Sequence, residues 1–125
     1  MAVTLEDVRT FALALPDTTE EPHHDYGSFR VRGRIFVTVP PGGELLHIFL
    51  PEQQRELALA MDPEFLEPVY WGSKVSGVRA RLPCARKATV LALVEQAHAF
   101  KAANASRGKR SSSPRRPGRR SGSSA

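Results

Sequence analysis

The sequence predicts an α+β domain in which helices pack on one face of an antiparallel sheet. Residues 28–50 (SFRVRGRIFVTVPPGGELLHIFL) alternate apolar and polar residues across three segments that are separated by short turns containing glycine. A second alternating stretch follows at residues 70–82. Before, between and after these stretches, apolar residues recur at helical spacing. The predicted order is therefore α-β(3)-α-β(2)-α, in two layers with a five-stranded antiparallel sheet.

The first helix is predicted over residues 4–15. Its apolar residues follow one another at intervals of three and four: Leu5, Val8, Phe11, Ala12 and Leu15. Thr4 and Asp7 have the spacing of a capping box, and Pro16 ends the helix. Residues 17–25 (DTTEEPHHD) show no periodicity and are mostly polar, so they are predicted to be a connection.

The three predicted strands of residues 28–50 each have two distinct sides. In the second strand, Ile35, Val37 and Val39 share one side, opposite Phe36 and Thr38. Both connections in this stretch contain glycine, which supplies the positive φ angles of tight hairpins. Because three strands cannot bury their apolar side alone, the helices are expected to cover it.

The second half of the predicted domain consists of a helix, two strands and a final helix. A helix is predicted with Pro51 in its first turn, and it is predicted to end at residues 62–63 (Asp-Pro). Residues 64–69 are predicted to be a packed connector, and residues 74–77 a hairpin turn before the last strand. Apolar spacing then predicts a final helix over residues 85–103.

The positive charge is concentrated at the C-terminus. The formal net charge is +5, from 18 Lys and Arg against 13 Asp and Glu, but residues 101–125 contain eight of the basic residues and none of the acids. Residues 1–100 therefore carry a net charge of −3. Residues 104–125 consist mainly of Ser, Gly, Pro and Arg, a composition that cannot offset the entropy of ordering the chain. The predicted organisation is one domain at 1–103 and a disordered basic tail at 104–125.

The composition argues against several classes of protein. No run of about 18 apolar residues suggests a membrane span, and the N-terminus lacks the pattern of a signal peptide. We therefore expect a cytoplasmic protein with no membrane partner. The single cysteine, Cys84, leaves no disulfide and no cysteine-rich zinc site to predict.

Residues 23–25 (His-His-Asp) are the candidates for a metal or acid–base site. Two adjacent histidines on a polar connection are more often surface residues, because zinc requires three or four ligands. The sequence also lacks a nucleophile elbow, and its Gly42-Gly43 pair precedes a strand rather than the helix of a phosphate loop. We expect a protein that is not an enzyme and that holds no metal or cofactor.

Basic residues on the two predicted hairpins are the candidates for binding. They are Arg30, Arg32, Arg34, Lys74, Arg79 and Arg81. Such rows can pair with phosphates or enter a DNA groove. Solvent-facing strand positions also commonly carry long charged side chains, which protect the edges of a sheet. In the first strand Arg30 and Arg32 are predicted to lie opposite Phe29 and Val31.

An aromatic pair and the basic tail can each be interpreted in two ways. Tyr70 and Trp71 could stack on bases, but packing within the domain is the favoured interpretation. The tail contains a dense positive run suited to a polyanion, formed by Arg115, Arg116, Arg119 and Arg120. The same run is also compatible with a tail that only increases solubility.

The order of these landmarks resembles the MmcQ/YjbR family of small bacterial proteins. The similarity lies in residues 4–39 (TLEDVRTFALALPDTTEEPHHDYGSFRVRGRIFVTV), 50–68 (LPEQQRELALAMDPEFLEP) and 70–83 (YWGSKVSGVRARLP). The resemblance covers about residues 3–103. It implies an α-β(3)-α-β(2)-α fold and binding of DNA by a double wing, whose wings are the two hairpins.

The expected function is therefore weakly sequence-specific DNA binding, in which the hairpin arginines contact phosphates and the tail adds affinity. The alternative is a protein-interaction or chaperone-like module without a nucleic-acid function. That alternative would use an exposed apolar face of the sheet around Phe36, Leu45 and Phe49.

Overall fold

The computed structural model describes residues 3–112, and their side chains except those of Trp71 and residues 105–112. Within this part of the chain there are three α-helices: α1 (Leu5–Leu13), α2 (Glu52–Met61) and α3 (Lys87–Ser112). The strands of the described part are β1 (Thr18–His23), β2 (Tyr26–Val31), β3 (Arg34–Val39), β4 (Leu45–Phe49), β5 (Leu66–Trp71) and β6 (Lys74–Arg81). A short 3₁₀ turn joins β6 to α3 at Leu82–Cys84. The fold is α+β, and none of the described helices is long and apolar enough to cross a bilayer.

The sheet has six strands, so the predicted number of five was wrong. The additional strand is β1, which lies in the stretch that the sequence predicted to be a connection. It pairs with β2 in antiparallel register, with Glu20 opposite Phe29 and Glu21 opposite Ser28. The four central residues of β1 are exposed. An edge strand of this kind buries little apolar surface, so it lacks the alternation by which strands are recognised.

The second hairpin also differs from the prediction. β5 begins at Leu66, inside the predicted connector, because Leu66 is buried in the core opposite Ala80. The turn lies at residues 72–73, where Gly72 has a φ of 65°, instead of at residues 74–77. Gly77 lies within β6, at a point where β4 approaches so closely that an added Cβ would be 2.2 Å from the carbonyl oxygen of Ile48.

Helix α3 continues nine residues beyond its predicted end at residue 103. Residues 104–112 contain Ala, Arg and Lys, which favour helix, and the first proline after them is Pro114. The predicted tail therefore overlaps with the last turns of α3. The remainder of that prediction, for residues 113–125, lies outside the described residues.

The strands are ordered β1-β2-β3-β4-β6-β5 and all neighbouring pairs are antiparallel. β4 lies between the two hairpins, with Leu45 beside Arg81 and Phe49 beside Gly77. β3 and β6 both run opposite to β4, so both begin at the end of the sheet where β4 finishes. The β2–β3 turn and the β5–β6 turn therefore project from the same end, which we call the hairpin end.

Helix α3 runs towards the hairpin end. Its first residue, Lys87, forms an ion pair with Asp7 (Nζ–Oδ1 3.6 Å) near the opposite end of the sheet, where the Leu82 N–H donates to the Glu44 carbonyl. Lys101 lies fourteen residues further along α3, and the charge of Arg34, at the start of β3, acts on it. At 1.5 Å per residue, the axis of α3 extends about 16 Å from Lys101 to Ser112.

The core fills the side of the sheet that contacts the helices. Phe29, Val37, Ile48 and Val78 lie opposite one another across β2, β3, β4 and β6, and all are 0% exposed. They form one cluster with buried residues of the helices, among them Val8, Ala12, Val90, Val94 and Ala97. Burying these side chains supplies the main stabilisation of the fold, roughly 1.5–3 kcal/mol for each large one.

Phe36 also belongs to this core, which corrects the predicted sides of β3. The register shifts between Phe29 and Arg30, so that Phe29 faces Val37 and Arg30 faces Ile35. Such a bulge leaves Phe36 and Val37 on the same side of the sheet, and both are 0% exposed. The ring of His98 meets Phe36 edge-on at 5.3 Å, and its Nε2 is 2.7 Å from the carbonyl oxygen of Pro16.

Candidate nucleic-acid interface

The side of the sheet opposite the core, which we call the open face, is polar at its centre. Ser28, Thr38, His47, Arg79 and Glu67 lie opposite one another across β2, β3, β4, β6 and β5. Because facing residues of antiparallel neighbours share one side of the sheet, these residues form a continuous row. Ser28, Thr38 and His47 are at most 8% exposed.

A linked set of three side chains occupies the middle of this row. Arg79 Nε donates to His47 Nε2 at 3.1 Å, and Arg79 Nη1 donates to Glu67 Oε2 at 3.1 Å. An Nε2 that accepts a hydrogen bond carries no proton, so His47 is neutral in this arrangement. Burial, followed by the charge of Arg79, lowers the pKa of His47, while the charge of Glu67 acts weakly in the other direction.

Two further predicted arginines lie on the open face. Arg30 Nε donates to Ser28 Oγ at 3.1 Å, and its Nη1 is 3.9 Å from Glu21 Oε1. Arg81 Nη1 is 3.9 Å from Glu67 Oε1, and its Nη2 donates to the Glu64 carbonyl. The predicted direction of Arg30, away from the core, is confirmed. Acids of the neighbouring strands partly balance the charges of this face.

The other three predicted residues lie at the hairpin end. Arg32 and Gly33 form the β2–β3 turn with φ angles of 52° and 83°, the pattern of a tight hairpin with two positive φ angles. Arg32 Nε donates to Asp17 Oδ2 at 3.1 Å. Arg34 and Lys74 are exposed at the beginnings of β3 and β6. The structure thus divides the six predicted residues equally between the open face and the hairpin end.

A groove of about 710 Å³ crosses the open face. Its walls include the aromatic and apolar side chains of Tyr26, Ile35, Phe49, Val69 and Tyr70. Its basic groups are His23, His24, His47, Arg79 and Lys101, and Thr38 and Ser76 add hydroxyl groups. Burial, followed by the charge of Arg34, lowers the pKa of Lys101.

Tyr70 is not packed within the domain, so the favoured interpretation of that residue was wrong. It is 62% exposed at the edge of the groove, and Tyr26 is 37% exposed. The bulge between Val69 and Tyr70 displaces this part of β5 relative to β6. The second residue of the predicted pair, Trp71, has its side chain outside the described part.

The histidine pair considered for a metal site lies at the β1–β2 turn. The rings of His23 and His24 are 4.8 Å apart, and His24 has a φ of 58°. Within residues 3–112, side chains of His, Cys, Asp and Glu do not come together in any group of three or more that could hold a metal ion. Cys84 is exposed and is not part of a disulfide.

Sequence reasoning missed Tyr26, His47, Glu67 and Lys101 as members of the site. No local pattern could reveal the contact between His47 and Arg79, which are 32 residues apart and meet only through the pairing of β4 with β6. Glu67 fell in a predicted connector. The predicted tail residues Arg115, Arg116, Arg119 and Arg120 lie outside the described residues.

Comparisons with known proteins agree with the arrangement of these elements. The family model described as YjbR matches residues 13–100. The crystal structure of the Deinococcus radiodurans protein DR2400, which has a DUF419 domain, is similar with a TM-score of 0.67 and 18% identity over 79% of this chain and 78% of that one. At that level of identity the likeness concerns the fold alone. No curated protein matches the sequence.

Proposed function

Because the chain belongs to the YjbR family, we propose that it is a non-enzymatic DNA-binding protein that contacts phosphates through its two hairpins. The observation that carries the proposal is the projection of both hairpin turns from one end of the sheet. Arg34 and Lys74 are exposed there, one on each hairpin. Phosphate contacts of this kind give affinity with little preference for sequence.

The spacing of the hairpins suits a DNA duplex. With β4 between them, the midlines of the β2–β3 and β5–β6 hairpins are three strand spacings apart, or roughly 14 Å before the twist of the sheet is considered. The major groove of B-DNA is about 12 Å wide. The two turns can therefore contact the two phosphate backbones that border one groove.

The C-terminal segment adds to this surface. Helix α3 runs past Arg34 towards the hairpin end, and residues 101–125 hold eight basic residues and no acids. The rest of the chain has a net charge of −3, and Glu21 and Glu67 hold arginines of the open face. Most of the long-range attraction to DNA therefore comes from the C-terminal segment, while the hairpins fix the orientation.

The experiment that tests this proposal measures binding to a fluorescent DNA duplex by anisotropy at low salt. Lys74→Ala is compared with Lys87→Ala, since both lysines are exposed and lie towards opposite ends of the sheet. The proposal expects the first substitution to weaken binding and the second to have little effect. A chain that ends at Ser112 should bind more weakly than the full chain. Equal effects of the two substitutions, or no binding to duplex at low salt, would refute the proposal.

A protein-interaction role is the second candidate. Phe36, predicted for such a surface, is buried, but Leu57 and Met61 lie one turn apart on α2 and are 63% and 67% exposed. Two large apolar side chains on one helix face are typical of a contact surface. Light scattering that shows association of the full chain, abolished by Leu57→Ser with Met61→Ser, would favour this role if duplex binding were absent.

A further inference from the structure

We propose that the groove on the open face binds unpaired bases of single-stranded nucleic acid. This inference rests on the proposed function and adds a second class of substrate to it. The hairpin end would hold phosphates of a duplex, whereas the groove would accept bases that are not paired.

The charges around the groove fit a polyanion. Every titratable side chain that lines it is either basic or a tyrosine. The charge of Arg34, at the start of β3, acts on Lys101. Arg79 uses two of its five N–H donors for His47 and Glu67. The groove thus offers donors to a phosphodiester backbone without a carboxylate among its lining groups.

The aromatic groups of the groove fit bases rather than phosphates. Tyr70 and Tyr26 are two of the five large apolar side chains that are exposed within the described residues. Both lie on the groove, together with the half-buried ring of Phe49. Exposed rings on a sheet, interleaved with basic groups, are the features with which proteins stack successive bases of a single strand.

The size and position of the groove support an unpaired ligand. Its volume of about 710 Å³ lies within the range of about 300–1,000 Å³ found for small-molecule sites. A base inside a duplex is stacked on both faces and cannot present a face to a tyrosine. Tyr70 is two residues from the β5–β6 turn, and Ile35 follows Arg34, so the groove extends to residues next to the hairpin end.

The test uses the full chain and three fluorescent probes at low salt. They are an oligothymidylate of ten nucleotides, a strand of the same length and backbone with abasic sites, and a DNA duplex formed by a self-complementary stem–loop. The inference expects the oligothymidylate to bind at least tenfold more tightly than the abasic strand. Loss of stacking on one base typically weakens binding by about tenfold, so Tyr70→Ala should weaken oligothymidylate binding by that factor and leave duplex binding within about twofold.

Variants separate the groove from other apolar surfaces. Tyr26→Ala gives a second measurement in the groove, and Leu57→Ala removes an exposed apolar side chain of α2, away from the groove. Leu57→Ala, the control, should change neither the affinity for the oligothymidylate nor the affinity for the duplex. The inference is wrong if the abasic strand binds as tightly as the oligothymidylate, or if both tyrosine variants bind the oligothymidylate as tightly as the unchanged chain does. Duplex binding would in that case still support the proposed function. If no probe binds, both proposals fail.

Discussion

The salt dependence of duplex binding gives the most quantitative prediction for the hairpin end. Each phosphate that a protein neutralises contributes about −0.9 to the slope of log K against log salt. If Arg34 and Lys74 each contact one phosphate, the double variant Arg34→Ala with Lys74→Ala should have a slope less steep by about 1.8. Between 50 and 200 mM salt, the loss of affinity would then be about 12-fold smaller than for the unchanged chain.

The assay is fluorescence anisotropy with one duplex at four or five salt concentrations. Lys74→Ala alone should change the slope by about 0.9. Lys87→Ala removes the same charge from the start of α3, where it pairs with Asp7, and should leave the slope unchanged. Because thermodynamic counterion release does not depend on base sequence, the changes should be the same for an AT-rich and a GC-rich duplex.

Two results would contradict phosphate contacts at the hairpin end. If the double variant keeps the original slope, the hairpin end makes no phosphate contacts. If Lys87→Ala changes the slope as much as Lys74→Ala, the effect comes from the overall charge of the chain and not from the position of the residue.

Two further predictions concern the open face and the sheet beneath it. Gly77→Ala should destabilise the fold by about 1–3 kcal/mol, because the new Cβ would be 2.2 Å from the Ile48 oxygen. Gly27→Ala, whose Cβ would lie 3.7 Å from Val39, should change stability by less than about 1 kcal/mol. Thermal unfolding of both variants measures the two losses, and equal losses would contradict the prediction. Burial and Arg79 hold the pKa of His47 below its usual 6.5, so the unfolded chain takes up the proton first and the free energy of unfolding should decrease as pH falls through 6.5 towards the folded pKa. Urea unfolding from pH 7.5 to 5 should show a smaller decrease for His47→Gln than for the unchanged chain, and identical pH profiles would count against the neutral His47.

The elements that the sequence predicted well are those with local signals. The capping box of Thr4 and Asp7 is present at the start of α1, and α2 ends at Met61, just before the predicted residues 62–63. The turn at residues 32–33 has the positive φ angles expected there. In each case a few neighbouring residues determine the conformation, so the local sequence is sufficient to predict it.

The features that the sequence did not reveal depend on contacts between distant segments. β1 is recognisable only through its pairing with β2, since its residues bury almost no apolar surface. Phe36 changes sides because of a bulge. Residues 35–37 are all apolar, so the sequence does not show which of them face the core. The sequence placed the six predicted basic residues on two hairpins, but their division between the open face and the hairpin end depends on the register of the sheet.

The surface proposed to bind DNA can be mapped directly by titrating the isotope-labelled full chain with a short duplex and following backbone amide signals by NMR. If the hairpins bind DNA as proposed, the largest changes should occur at the hairpin end, at Gly33 and Gly72 of the two turns and at Arg34 and Lys74 beside them. Changes confined to α2, or an unchanged spectrum at low salt with duplex in excess, would contradict the claim that the hairpins hold DNA.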